Sequence, residues 1–404
     1  MKIYHIIFIA LVLSFGCKGG SGSESAHTDT EEAIEYPIYL NLENITQMEG
    51  ETLLSTVVSE ITYIPLETNN NSLIRKVDRV AEWKNNFLVS DFFNLYLFDK
   101  TGKYLRRVSQ SGNGPADFRY VNGIIPDSVT DALYLFTSYK FIKFDENVKF
   151  IESHSFEGYH SRILSTPDKN FLLYVPNQTR IFGDTTIVNS LIEIDTLGNV
   201  VREYRNNSPR YMDVNKVDIT TGMIPFYIYN NQVHFQEFGN DTLFRIQDNT
   251  FMPYMILDLG KMKMDYSPEF PSNNMDDVNK VMERLKTKLM IVTAFESDHL
   301  FYLVLSWGMD KRVYATYNKK SKKVTFLDTN KLTNDIDGGV SFFPNQIEPT
   351  GEMIMYKSAE EFKEEVLSKD YNQQKAKYGE RFEKVYQFAN SLQEDDNPIL
   401  IIAK

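Results

Sequence analysis

Short apolar runs recur along the chain, each closed by a turn former and followed by a second run. The clearest is LYLFDKTGKYLRRV from Leu95, where an alternating run ends at Asp99, a Lys-Thr-Gly turn follows and a second run begins at Lys103. Similar segments begin at Phe141 (FIKFDENVKFIESH), Leu191 (LIEIDTLGNVVREY), Leu243 (LFRIQDNTFMPYMIL) and, less regularly, Tyr314 (YATYNKKSKKVTFLD). Aligned on Asp99, Asp145, Asp195, Gln247 and Asn318, the copies lie about 50 residues apart, with about 70 at the last step. Each copy predicts two short strands around a tight turn, with Gly102 and Gly198 where positive φ is wanted.

Another strand–turn–strand segment precedes each copy: VAEWKNNFLVSD from Val80, GIIPDSVTDALYLF from Gly123, ILSTPDKNFLLYV from Ile163, FYIYNNQVHFQEF from Phe226 and VTAFESDHLFYLVL from Val292. A sixth, VSFFPNQIEPTGEMIMY, starts at Val340. Two hairpins make a four-stranded sheet, which cannot bury both faces alone. Six such units predict an all-β protein, a six-bladed β-propeller of four-stranded blades over residues 36–404. A β-sandwich would not show a four-strand period, and a solenoid would repeat at a shorter one. The sixth unit lacks a second hairpin. ITYIPLE (61–67) and NPILIIAK (397–404) are strand-like, and one or both are expected to complete it and close the ring.

Two helical insertions are expected, near 274–290 and over 358–393. In the first, Val278, Val281, Met282 and Leu285 fall at helical spacing. The second opens with the capping-box pattern Ser358 to Glu361 and carries Phe362, Val366, Phe382, Val385, Phe388 and Leu392 as an apolar stripe. A strut packed against blade six is the simpler reading of it; a lid or partner helix is the alternative.

The N-terminus has a different pattern. Lys2 precedes an apolar run from Ile3 to Phe15, interrupted by His5 and too short to span a bilayer, so residues 1–16 read as a lipoprotein signal peptide. Cys17, the only cysteine, stands where a bacterial lipoprotein is cleaved and acylated, although Ser14 replaces the more usual Leu. Residues 17–35 are rich in Gly and Ser and then acidic, the composition of a flexible tether. These features predict an exported protein anchored to the outer membrane through lipidated Cys17, on either its periplasmic or its cell-surface face. A lone cysteine excludes a disulfide framework, a CxxC redox motif and a thiolate metal site.

Composition narrows the function further. A net charge of −12 over 404 residues speaks against nucleic-acid binding, and the Lys319, Lys320, Lys322, Lys323 group reads as a solvated turn. There is no GxSxG, HExxH, Walker or EF-hand pattern. Gly112-Asn113-Gly114 runs into Pro115 with no helix behind it and reads as a connecting turn. His27, His154, His160, His234 and His299 show no metal-ligand spacing among themselves. No cofactor is predicted. Ca²⁺ could sit in a central channel or at Asp335 and Asp337, beside Gly338-Gly339, where a plain Asp-Gly turn is the simpler reading. If the first strand of each unit is innermost, Arg75, Arg119, Tyr120, His160, Arg162, Tyr227, Lys288 and Asp337 lie near one mouth of that channel. Such a rim would suit an anionic group or a sugar ring. The alternative is that these side chains simply decorate exposed loops.

The run YIPLET from Tyr63, the run FDKTGKYLRRVSQSGNGPADF, DIDGGVSFFPN from Asp335 and the ending EDDNPILIIAK resemble the six-bladed β-propeller lipoproteins of Bacteroidota, related in form to NHL-type propellers. Where that family favours Gly-Pro-Gly-Glu, this chain has Gly114-Pro115-Ala116-Asp117. The resemblance implies an anchored binding or scaffolding protein without established chemistry. The leading expectation is therefore a membrane-anchored lipoprotein whose propeller recognises a glycan, a peptide or an envelope protein. A metal-dependent hydrolase or lyase with its site in the channel is the alternative from another class, and a structural part of an envelope complex is a third.

Overall fold

The computed structural model describes residues 35–42, 52–127, 130–137, 140–156, 162–182, 185–205, 226–237, 240–263, 283, 285–308, 311–327, 331–348 and 351–404, with the backbone alone over 176–182 and 185–188. Six antiparallel four-stranded sheets form a ring, a six-bladed β-propeller. Blade one is Arg79–Trp83, Asn86–Ser90, Asn94–Asp99 and Tyr104–Gln110. Blade two is Gly123–Asp127, Ala132–Phe136, Lys140–Phe144 and Phe150–Ser155. Blade three is Arg162–Ser165, Phe171–Phe182, Thr185–Ile194 and Val200–Arg205. Blade four is Phe226–Tyr229, Gln232–Gln236, Thr242–Gln247 and Thr250–Asp258; blade five is Leu289–Glu296, Leu300–Trp307, Lys311–Asn318 and Lys323–Phe326.

Blade six takes Gln346–Ile347, Met353–Lys357 and Ile399–Ala403 from the end of the chain and Ile61–Pro65 from its beginning. Both strand-like terminal segments thus complete the blade, in antiparallel register from Ile61 opposite Ala403 to Pro65 opposite Ile399. The first strands are innermost. Those of blades one, two and three adjoin in turn, as do those of blades four, five and six.

Middle strands lie between neighbouring blades and are buried on both faces, as in Ala132–Phe136, whereas the outer strand Tyr104–Gln110 keeps an alternating exposure. Two of the seams show their apolar packing clearly: Ile64, Leu400 and Ile402 of blade six meet Phe87, Val89 and Phe98 of blade one, and Phe136 and Phe141 of blade two meet Phe171 and Leu173 of blade three. Burial of this kind contributes roughly 25 cal/mol per Å² of apolar surface.

The repeated Asp has a structural task. Asp99 accepts hydrogen bonds from the backbone N–H of Thr101 (2.8 Å) and Lys103 (3.1 Å). Asp145 does the same with Asn147 and Lys149, and Asp195 with Leu197 and Asn199. The turn then docks on the preceding blade. Gly102 O accepts from Glu67 N (2.8 Å), and Val148 O accepts from Arg106 Nη2 (2.9 Å). The repeat that marks the blades in sequence is also the joint between them.

Three features go beyond the expected plan. Ile38–Asn41 adds a fifth strand to blade four, parallel to Thr250–Asp258. The central hairpin of blade three, Phe171–Phe182 with Thr185–Ile194, is longer than its repeat predicts. The insertion at 358–393 is three helices, α1 (Ala359–Leu367), α2 (Tyr371–Tyr378) and α3 (Glu380–Ser391). Ser358 Oγ accepts from Glu361 N, Asp370 caps α2 in the same way, and Gly379 at φ 63° separates α2 from α3. The buried stripe Phe362, Val366, Phe382 and Val385 packs with Val340, Phe342 and the ring of Tyr63, so the insertion seats against blade six as a strut. Most of the expected 274–290 helix lies outside the described residues, and Leu289 and Met290 already belong to the first strand of blade five.

Candidate functional site

The innermost strands carry opposite charges at their two ends. At their beginnings stand Arg79 and Arg162, the first residues of their strands in blades one and three, with Lys288 just ahead of the strand in blade five. At or beside their far ends stand Glu82, Asp127, Glu296 and Glu348. Basic side chains thus gather at the mouth where the innermost strands begin, while Glu296 at the other end is buried and paired with Lys319.

The cationic mouth has the better-defined geometry. Arg79 Nε donates to Val121 O (3.1 Å) and lies 3.4 Å from Asp78 Oδ2. Its side chain keeps 22% of its surface open although dense protein around it lowers its pKa, the combination expected of a group lining a narrow channel. Tyr356 OH donates to Asp78 O (3.1 Å), and Gln346 Nε2 donates to Val80 O (3.1 Å), so blade six is tied to blade one there. Burial and then Asp78 raise the Tyr356 pKa, while the charges of Arg79 and Arg162 oppose the rise. Two guanidiniums and a neutral phenol at one mouth can receive a carboxylate, sulfate or phosphate group.

The residues expected at a rim are dispersed. Arg75, Arg119 and Tyr120 are exposed on the loops leading into blades one and two, and Arg162 is half-buried at the mouth itself. His160 and Cys17 lie outside the described residues. Lys288 Nζ donates to Lys261 O (2.9 Å). Tyr227 is buried, its hydroxyl donating to Glu296 Oε2 (2.9 Å) in the seam between blades four and five. Asp337 is buried too, and its Oδ1 accepts from Asn334 Nδ2 (2.7 Å), Gly339 N (2.8 Å) and Tyr63 OH (3.1 Å). Asp335 accepts instead from Ser55 N (2.9 Å) and Ser55 Oγ (2.5 Å). Among the described residues, no group of three or more His, Cys, Asp or Glu side chains gathers to hold a metal.

Asp78, Arg79, Gln346 and Tyr356 were not anticipated. The signal for Arg79 was present, since it directly precedes the apolar run from Val80. Tyr356 sits on a second strand and reaches the mouth only because blade six leans on blade one.

A second polar cluster is buried around Glu296, with the exposed Tyr36 at its edge. Glu296 Oε1 accepts from Lys319 Nζ (2.7 Å) and Tyr254 OH (2.9 Å), and Tyr254 OH also meets Tyr36 OH (3.1 Å). Burial raises the Glu296 pKa against the opposing charge of Lys319. Lys319 thus belongs to the core rather than to a solvated tip. His234 lies against Tyr227 and Tyr254, with ring centroids 4.9 and 4.3 Å away, and burial lowers its pKa to about 3.

Among solved structures, a Bacteroides fragilis protein described as exported is 16% identical, with a TM-score of 0.61 over 91% of this chain and 99% of its own. BamB from Moraxella catarrhalis is 13% identical, with a TM-score of 0.36 over 66% of each chain. A Bacteroides caccae protein of unknown function is 10% identical, with a TM-score of 0.36 over 62% of this chain and 81% of its own. At 16% identity the likeness to the Bacteroides fragilis protein is one of fold. No curated protein matches the sequence. No helix among the described residues is long and apolar enough to cross a membrane. Residues 37–404 match the profile of a domain of unknown function, DUF4934, and since that match takes in every blade, the chain belongs to the DUF4934 family.

Proposed function

We propose that this protein is an exported, lipid-anchored binding protein whose propeller receives an anionic group of a peptide or glycan at its cationic mouth. The observation that carries this reading is that Arg79 and Arg162 open innermost strands of blades one and three at the same mouth, on a molecule of net charge −12. On so acidic a surface a local cationic recess selects and orients an anionic ligand. Export and anchoring rest on the Ile3–Phe15 run and Cys17. The description of the Bacteroides fragilis relative as exported agrees with that address.

The test is thermal melting of the full chain in detergent against acidic peptides, uronate-bearing oligosaccharides, their neutral counterparts, and divalent metals with a chelator control. A ligand at about 100 times its Kd adds about 2.7 kcal/mol, a shift of a few degrees. Anionic compounds should produce that shift, and Arg79→Ala or Arg162→Ala should remove it. Equal shifts from neutral compounds, or retention in both variants, would refute the assignment of the mouth. A chelator-reversible shift with metal would move the reading to a metal-dependent hydrolase or lyase.

A further inference from the structure

The loops of blade one present an apolar surface that the channel mouth does not use. Between the second and third strands, Asp91-Phe92-Phe93-Asn94 turns so sharply that Phe92 adopts φ 78°, a left-handed conformation unusual for a bulky residue. Asp91 holds the turn: Oδ1 accepts from Phe93 N (3.0 Å) and Asn94 N (2.7 Å), and Oδ2 accepts from Tyr96 OH (3.3 Å). Both rings are left in water, Phe93 at 59% exposure and Phe92 at 37%. Leu73, on the loop before blade one, and Tyr120, on the loop after it, are each 59% exposed.

These three loops form one continuous surface. Asp78 N donates to Ser90 O (2.7 Å), Arg79 Nε to Val121 O (3.1 Å) and Ser111 N to Phe93 O (2.5 Å). Its most exposed charges are cationic. Arg75, Lys76 and Arg119 are exposed and form no ion pair among the described residues, whereas the less exposed carboxylates of Asp91 and Asp117 accept hydrogen bonds within their own turns and Asp78 pairs with Arg79.

We infer that the blade-one loops are a docking surface for an acidic protein segment carrying apolar side chains. Charge selects the acidity, because Arg75 and Arg119, with no ion pair among the described residues, stand on the same loops as Leu73 and Tyr120 in a chain of net charge −12. The rings select the apolar side chains. Phe92, Phe93 and Leu73 offer no hydrogen-bonding group, so what they gain on binding is the burial of apolar side chains. Exposed aromatic and Arg side chains are the residue types that dominate protein–protein affinity.

The test uses the full chain in detergent and fluorescence anisotropy with four probes: a labelled acidic peptide containing Phe and Leu, the same peptide with Ser in place of its apolar residues, its Lys-substituted counterpart, and phosphatidylglycerol vesicles. The acidic apolar peptide should bind saturably and weaken with salt. Phe93→Ser, Tyr120→Ser and Arg119→Glu should each weaken it about tenfold or more, while Leu197→Ser, at an exposed residue of blade three, should not. Arg162→Ala should also leave it in place, so failure here is distinguishable from failure of the channel-mouth reading. Absence of peptide binding, equal binding of the Ser or Lys peptide, or indifference to Phe93→Ser and Tyr120→Ser would each overturn the proposal. Phe93-dependent binding to vesicles without peptide binding would replace it with a membrane contact.

Discussion

Glu296 has no exposed side-chain surface, and a bare carboxylate there would cost several kcal/mol. Lys319, Tyr227 and Tyr254 supply three donors from two blades, which makes the burial tolerable and pins the seam. Removing one partner leaves the other charge uncompensated. Lys319→Met should therefore destabilise the protein by about 3–5 kcal/mol, and the double variant with Glu296→Gln by clearly less. Denaturant unfolding checks this; equal losses would mean that the pair is not coupled. In the sequence Lys319 is indistinguishable from Lys320, Lys322 and Lys323. Its burial follows from the 2.7 Å approach to Glu296, a residue of the first strand of the same blade, which no local pattern reveals.

Hairpins and turns were more legible, because their causes are local. Alternating apolar positions predicted the strands, and the Asp-to-backbone hydrogen bonds of the turns need only a few consecutive residues. Gly102 and Gly198 sit at φ 84° and 87° in equivalent turns with different surroundings. A Cβ on Gly198 would find ordinary contacts at 3.7 Å, while one on Gly102 would run into the carbonyl oxygen of Pro65. Gly198→Ala should cost about 1–2 kcal/mol for the left-handed backbone alone. Gly102→Ala should cost more, because the clash with blade six adds to the same backbone penalty. Melting temperatures of the two variants decide it; equal losses would show that the turn does not bear on the neighbouring blade. The longer hairpin of blade three escaped the repeat because nothing in an internal period limits how far two paired strands continue past it.

Ring closure is a property of the whole molecule. Ile399–Ala403 is fully buried, with Ile61–Pro65 on one side and Met353–Lys357 on the other. Deleting residues 397–404 removes the strand that joins the two ends of the chain and strips the seams on both sides. It should abolish the cooperative transition, whereas a truncation with unchanged melting would show that the ring does not depend on this strand. The same long-range closure explains the mouth. Arg79 and Tyr356 are brought together, through Asp78, only because the last blade leans against the first, while Arg75, Arg119 and Tyr120 are exposed on the loops leading into blades one and two.

The sequence by itself determined the number of blades, their order, the turn chemistry, the capped helical insertion and the two segments that close the ring. All of these follow from short-range periodicity, or from counting units that each need a neighbour to bury their faces. Only the tertiary structure decided which charged side chains are buried, which line the channel and which are left in water. Those outcomes depend on contacts between residues hundreds of positions apart, such as Tyr356 with Asp78, and on desolvation that no single segment can report.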